Sequence, residues 1–200
     1  MTNEQYYELI RPYEDAMKVL FTRLEILNHS IYSREASSPV HHMQRRIKEK
    51  RSMEDKLVEM GVTDSVMNAK DKLKDIAGIR VICYFENEIY TMIEALKRHD
   101  DLILIKEKDY ITTPKETGYR SYHIVFGVPI HALDAMEYYP VEVQFRTLSM
   151  DFWSSMEHKI CYKKDKQGKE ELTKQMKVLS QSLALIEAEL KSYVEEKNNL

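Results

Sequence analysis

From Ile10 the chain repeats an apolar residue every three or four positions, through Tyr13, Met17, Leu20, Leu24 and Leu27 to Ile31. That spacing predicts one long helix with a single apolar stripe. Ser37, Ser38 and Pro39 break it, and a second helix follows with Met53, Leu57 and Met60 inward, closed by Gly61. The period then changes. Ile76 to Phe85 is apolar and β-branched, Glu86 to Arg98 returns to helix with Ile89, Ile93 and Leu96 inward, and Leu102 to Ile105 is a short strand. Beyond a polar loop with Pro114 and Gly118, Tyr119 to Val128 and Tyr139 to Thr147 each alternate in period two. Met150 to Tyr162 reads as helix. After Gly168 an apolar heptad step runs through Leu172, Met176, Leu179, Leu183, Ile186, Leu190 and Tyr193. The order predicts an α/β (α+β) domain with a mixed β-sheet flanked by helices. Its parts are an N-terminal helix over 1–36, a core over 43–165 and a C-terminal helix over 169–198.

Two hundred residues suit one compact unit with helical extensions. Thirty basic against 33 acidic residues leave a net charge of −3, which argues against a general polyanion binder and makes any phosphate affinity local. Cys83 and Cys161 form neither a zinc spacing nor a disulfide framework, and Cys83 sits in an apolar run as a buried thiol. Glu4, Glu8 and Arg11 occupy the place of a signal peptide's apolar stretch, and no run reaches the length of a membrane span. These features predict a cytoplasmic protein.

Local clustering does occur. Arg45, Arg46, Lys48, Lys50 and Arg51 face only Glu49, and Lys48, Ser52 and Lys56 would share one face of a continuous helix. A solvated helix face explains such a run, but solvation does not require one sign of charge. No glycine provides the spacing of a phosphate-binding loop, so lysine and arginine side chains would have to hold any phosphates. In Val141-Glu142-Val143-Gln144-Phe145-Arg146 the period sets an acid, an amide and a guanidinium on one face, which suits a surface strand or the floor of a polar site. Asp75, at a strand entrance beside Gly78, is a turn residue or, with Glu142, a magnesium ligand. Tyr119 after Gly118 can stack on a purine or close a core edge. His123 alone reads as structural. His99-Asp100 lacks companion ligands, and His41-His42, assigned to a polar linker, lacks a third.

Taken in order, six segments resemble the synthetase domain of the RelA/SpoT family in its single-domain form, the small alarmone synthetases. They are Arg46-Ile-Lys48 with Ser52 and Lys56, Lys74 to Arg80, Lys108-Asp-Tyr110, Gly118 to His123, Val141 to Thr147, and Met150-Asp-Phe-Trp with Glu157-His-Lys159. The resemblance implies a nucleotidyltransferase-like fold and transfer of a pyrophosphoryl group from ATP to the 3′-hydroxyl of GTP or GDP, with Mg²⁺ as cofactor. By position, Asp75 and Glu142 correspond to the catalytic metal carboxylates, with Glu142 also taking the hydroxyl proton. Arg46 and Arg80 correspond to the planes around adenine, and Lys48, Ser52 and Lys56 to the ATP phosphate ligands. Tyr119 corresponds to the ring on guanine, with Lys115, Arg120, His123, Gln144 and Arg146 on the acceptor side.

One departure is Thr117, where some members carry Asn; a threonine cannot offer both an amide donor and a carbonyl acceptor. The hydrolase half of long members has no counterpart in these 200 residues. The resemblance and the two terminal stripes together predict a homotetramer. Control by (p)ppGpp or single-stranded RNA occurs in parts of the family and is not assigned by the sequence. Two rivals stand beside this reading: nucleotidyl transfer releasing pyrophosphate, and a nucleotide- or RNA-binding module without turnover. Paired carboxylates weigh against the second.

Overall fold

In the computed structural model, residues 1–35, 38–161 and 166–198 are described. Ser37, Tyr162, the side chain of Cys161 and the expected boundaries at 36 and 165 lie outside them. Helix α1 (Asn3–Glu35) leads into strand β1 (Val40–Ile47), helices α2 (Lys50–Glu59) and α3 (Val66–Lys72), and strand β2 (Ala77–Cys83). Helix α4 (Glu86–Lys97), strands β3 (Ile103–Asp109), β4 (Tyr122–His131) and β5 (Met136–Thr147), and helices α5 (Leu148–Cys161) and α6 (Lys166–Asn198) follow. The sheet runs β1-β2-β5-β4-β3, with β2 and β5 parallel and every other pair antiparallel.

Hydrophobic alternation separates the two faces of this sheet. Ile79 and Val81 of β2, Val143 and Phe145 of β5, and Ile124 and Phe126 of β4 are all buried. They form one core with Tyr13, Leu20 and Leu24 of α1 and Ile89, Met92 and Leu96 of α4. The other face follows from the register. One cross-strand row reads Arg46, Gly78, Glu142, Val125, and the next reads Gln44, Arg80, Gln144, His123, Lys108. Residues paired across a ladder project to the same side, so these rows are a polar floor.

Two elements differ from the sequence reading. Val40–Ile47 is an edge strand and not a linker, so His41 and His42 lie on β1. Its core-facing side buries little and its other side is the polar floor, which erases the alternation that announces a strand. Lys48 consequently precedes α2 and does not share a helix face with Ser52 and Lys56. The basic run is also divided: Arg45 lies over the Phe21 ring of α1 at 5.1 Å, and Lys50 bonds Asn3. Helix α3 was unforeseen because seven residues bury only Ala69.

Helix α6 presents two rows. The row toward its own fold is Met176, Ser180 and Glu187, all buried. Of the heptad stripe, Leu179, Ile186, Leu190 and Tyr193 are about half exposed, between 52% and 55%. Glu187 accepts hydrogen bonds from Thr147 Oγ1 at 2.6 Å and from the Ser149 hydroxyl. Burial pushes its carboxyl above the ordinary 4.5; those two bonds and the Arg120 charge oppose the shift, and the Glu86 charge adds to it.

Two outcomes follow for stability. Leu20 is fully buried between α1 and the sheet, so Leu20→Ala should lower unfolding stability by about 2–5 kcal/mol, read from urea denaturation midpoints. The raised Glu187 carboxyl binds its proton more tightly folded than unfolded. Its contribution is therefore complete below pH 4.5 and lost as pH rises through the folded pKa. Unfolding free energies across that window should show the stability of wild type relative to Glu187→Gln falling as pH rises. A flat difference would leave Glu187 without a folded-state shift.

Candidate active site

Asp75 stands in the turn between α3 and β2, held by a backbone bond from Lys48 N to Ile76 O at 2.8 Å. Two cations meet its carboxylate: Lys48 Nζ and Lys56 Nζ donate to Oδ2 at 3.0 and 2.7 Å. Although the two lysines come from a loop and a helix, they converge on one oxygen. Burial pushes this carboxyl up, but the lysine hydrogen bonds and charges outweigh it and hold the pKa below the ordinary 3.8. The other oxygen, Oδ1, is buried with no hydrogen-bond partner.

Glu142 is the polar-face residue of β5 in register with Gly78. Gln144 Nε2 donates to its Oε2 at 2.9 Å, and His123 Nδ1 lies 3.3 Å from Oε1. Burial again raises the carboxyl, the His123 contact and the Gln144 bond lower it further than burial raises it, and the nearby Asp75 charge opposes them. Both acids are thus ionised at neutral pH.

The two carboxylates form the common wall of two clefts. The first, about 210 Å³, is lined by Arg46, Asp75, Gly78, Arg80, Glu142 and Gln144, with Gln44, Arg45 and Ile79. Gly78 keeps it open: a Cβ there would meet nothing nearer than 4.0 Å and would project into the row between Arg46 and Glu142. The second cleft, about 250 Å³, holds Asp75, Glu142, His123, Tyr110 and six lysines: 56, 72, 74, 106, 108 and 115. Six cations against two acids make it a site for a polyanion.

A hydrogen-bond chain backs this wall. Arg146 Nη2 donates to Tyr119 Oη at 3.0 Å, and Tyr119 Oη lies 2.8 Å from His123 Nε2. Arg146 Nη1 also donates to Asp151 Oδ1 at 3.0 Å, which Arg80 approaches at 3.4 Å. Lys115 Nζ lies over the Tyr110 and Tyr119 rings at 4.9 and 4.8 Å.

Of the residues expected from sequence, Arg46, Asp75, Arg80, Glu142 and Gln144 share the first cleft, and Lys56, Lys115 and His123 join the second. Lys48 reaches in through Asp75, while Tyr119 and Arg146 lie in the chain behind. Ser52 is exposed in the first turn of α2. Arg120 lines neither cleft, because its guanidinium pairs with Glu86. Asp151 carried no expected role, although an acid in a helix's first turn after a polar strand marks its place. Lys106 was missed because the predicted strand stopped at Ile105, and Lys108 stood in one of the six family-like segments without an assigned role. Among the described residues no three or more His, Cys, Asp or Glu side chains gather as a metal cluster. No helix among them is long and apolar enough to cross a membrane.

Comparison with known proteins agrees with this architecture. GTP pyrophosphokinase YwaC of Bacillus subtilis is 37% identical over 185 residues, covering 92% of this chain and 84% of that protein. GTP pyrophosphokinase YjbM of the same organism is 31% identical over 163 residues, covering 82% and 76%. The crystal structure of small alarmone synthetase 1 from Bacillus subtilis bound to its product pppGpp superposes with a TM-score of 0.84 at 28% identity, covering 98% of this chain and 100% of that one. Residues 45–167 match the family described as the region found in RelA / SpoT proteins. With β2 through β5 and both carboxylates inside that match, the chain belongs to the RelA/SpoT family.

Proposed function

We propose that the paired clefts are the centre of a GTP pyrophosphokinase. It transfers the β,γ-pyrophosphoryl group of ATP to the 3′-hydroxyl of GTP or GDP, giving pppGpp or ppGpp and AMP. The observation that carries this reading is one wall of two ionised carboxylates, Asp75 and Glu142, shared by an arginine-lined cleft and a lysine-lined cleft. A transferring enzyme needs two substrates to meet at one wall, and a single-ligand binder does not.

In this reading adenine lies between Arg46 and Arg80, whose planar guanidinium groups stack where an ammonium would not. Lys48, Lys56 and Ser52 serve the ATP phosphates. Lys115, Tyr119, His123, Gln144 and Arg146 serve the guanosine acceptor, with Arg120 set apart by its pairing to Glu86. The 3′-oxygen attacks the β-phosphorus while the bond from that phosphorus to the α,β-bridging oxygen breaks, and AMP leaves with the electron pair. The hydroxyl proton passes to the Glu142 carboxylate. Both acids are already ionised at neutral pH, so no proton must leave them first. In-line placement between the clefts supplies most of the assistance expected in phosphoryl-type transfer.

The donor set fits Mg²⁺, which takes one or two carboxylates and completes its shell with substrate phosphate oxygens. Asp75 Oδ1, buried and unpartnered, and Glu142 would hold it. When bound it supplies neutralisation of charge on the phosphate oxygens. The reading also places the enzyme in the cytoplasm, where its nucleotides circulate.

We further propose that the chain assembles as a homotetramer through α6. Leu179, Ile186, Leu190 and Tyr193 are too exposed to belong to its own core, and 33 residues of helix span about 50 Å, longer than the sheet is wide.

Two measurements test these proposals. Mixing the protein with ATP, GTP and Mg²⁺ should yield AMP and a guanosine 3′-pyrophosphate. Asp75→Ala and Glu142→Ala should each abolish the product while leaving the circular dichroism unchanged. Release of pyrophosphate instead of AMP, or turnover in either variant, overturns the assignment. Light scattering should give four times the 23.7 kDa of one chain, and Ile186→Glu with Leu190→Glu should shift it downward without loss of fold. A wild-type mass of one chain at micromolar concentration refutes the assembly.

A further inference from the structure

Helix α6 meets the acceptor side at one loop. Gly118, the residue before Tyr119, has φ +90°, and a Cβ there would lie 2.9 Å from the Lys177 Cα and 3.0 Å from the Ser180 Cβ. Glycine is therefore required twice: by a backbone conformation that side chains rarely adopt and by the approach of the α6 backbone. At this contact the Ser180 hydroxyl, buried at 6% exposure, donates to Gly118 O at 2.6 Å.

Two further anchors lie on either side of it. Trp153 Nε1 donates to Met176 O of α6 at 2.7 Å, and the Trp153 ring meets the Tyr119 ring edge-on at 6.4 Å between centroids. Glu187 holds Thr147 and Ser149, immediately beyond Arg146, whose guanidinium donates to Tyr119 Oη. Three residues of α6 thus grip the backbone before Tyr119, the ring beside it and the strand end behind its hydroxyl.

We propose that Ser180 is a positioning residue for the guanosine acceptor, acting through Gly118 to fix the Tyr119 ring, and that α6 is the back wall of that subsite. The inference rests on the reading of Tyr119 as an acceptor residue. Nothing in this contact touches Arg46, Arg80 or Lys48, so it should act on one substrate and leave the other alone. A merely structural role would lower the active fraction and leave both KM values in place.

The test is steady-state kinetics of the full chain with ATP and GTP varied separately, alongside thermal melting. Ser180→Ala, which shrinks the side chain and cannot clash, should raise KM for GTP by about three- to tenfold, the loss expected for one hydrogen bond. KM for ATP should change by less than about twofold. Gly118→Ala should raise KM for GTP further. The double variant should be no worse than Gly118→Ala alone, because both break the same contact. Tyr119→Ala, measured in parallel, should raise KM for GTP by about five- to 150-fold. If Tyr119→Ala leaves that constant unchanged, the acceptor assignment itself falls. If Tyr119→Ala moves it while Ser180→Ala does not, or if Ser180→Ala moves both KM values equally, the positioning role alone is overturned.

Discussion

One chain of polar contacts runs from Arg146, which can only donate, to an ionised Glu142, which can only accept. Arg146 donates to Tyr119 Oη, which lies 2.8 Å from His123 Nε2, and His123 Nδ1 lies 3.3 Å from Glu142 Oε1. The Tyr119 ring, the His123 ring and the Glu142 carboxylate are thereby held in place together. The far end of these contacts is tied down as well, since Arg146 also holds Asp151, which faces Arg80 in the other cleft. Arg80 of the first cleft and His123 of the second are in this way parts of one connected network.

The carboxylate wall depends on a balance between burial and nearby donors. Burial alone would push Asp75 and Glu142 toward neutrality, and the Asp75 charge adds to that push on Glu142. Each stays ionised because a separate set of donors meets it: two lysines for Asp75, an imidazole and an amide for Glu142. Asp75 is served from α2 and the loop before it, Glu142 from the sheet itself. Parallel pairing of β2 with β5 then puts the two sets side by side.

Much of this was legible in the sequence, and the exceptions share a cause. The α1 stripe, the β5 alternation and the core of α4 were readable because each buries one continuous face. Strand β1 was not, since a strand that borders a polar site on one side and an edge on the other loses the period-two signal. The convergence of Lys48 and Lys56 on Asp75 was likewise hidden. Spacing suggested a shared helix face, whereas the contact is tertiary and joins residues 27 and 19 positions apart. Arg120 illustrates the reverse limit. The family resemblance put it on the acceptor side, whereas its guanidinium pairs with Glu86.

The heptad step of α6 concealed a different ambiguity. A stripe of seven apolar residues reads as one face, yet the buried row is Met176 of that stripe with Ser180 and Glu187, each one position beyond a stripe residue. Two of those three residues are polar, which hydrophobic burial alone would not select. Their partners explain them: a backbone carbonyl at Gly118 and two hydroxyls at the end of β5. Apolar contacts would hold the helix at any of several neighbouring registers, whereas hydrogen bonds to fixed acceptors and donors hold it at one. Where α6 packs against the Gly118 backbone, its inner row carries such a directional contact. Its outer row can remain apolar and available to other surfaces.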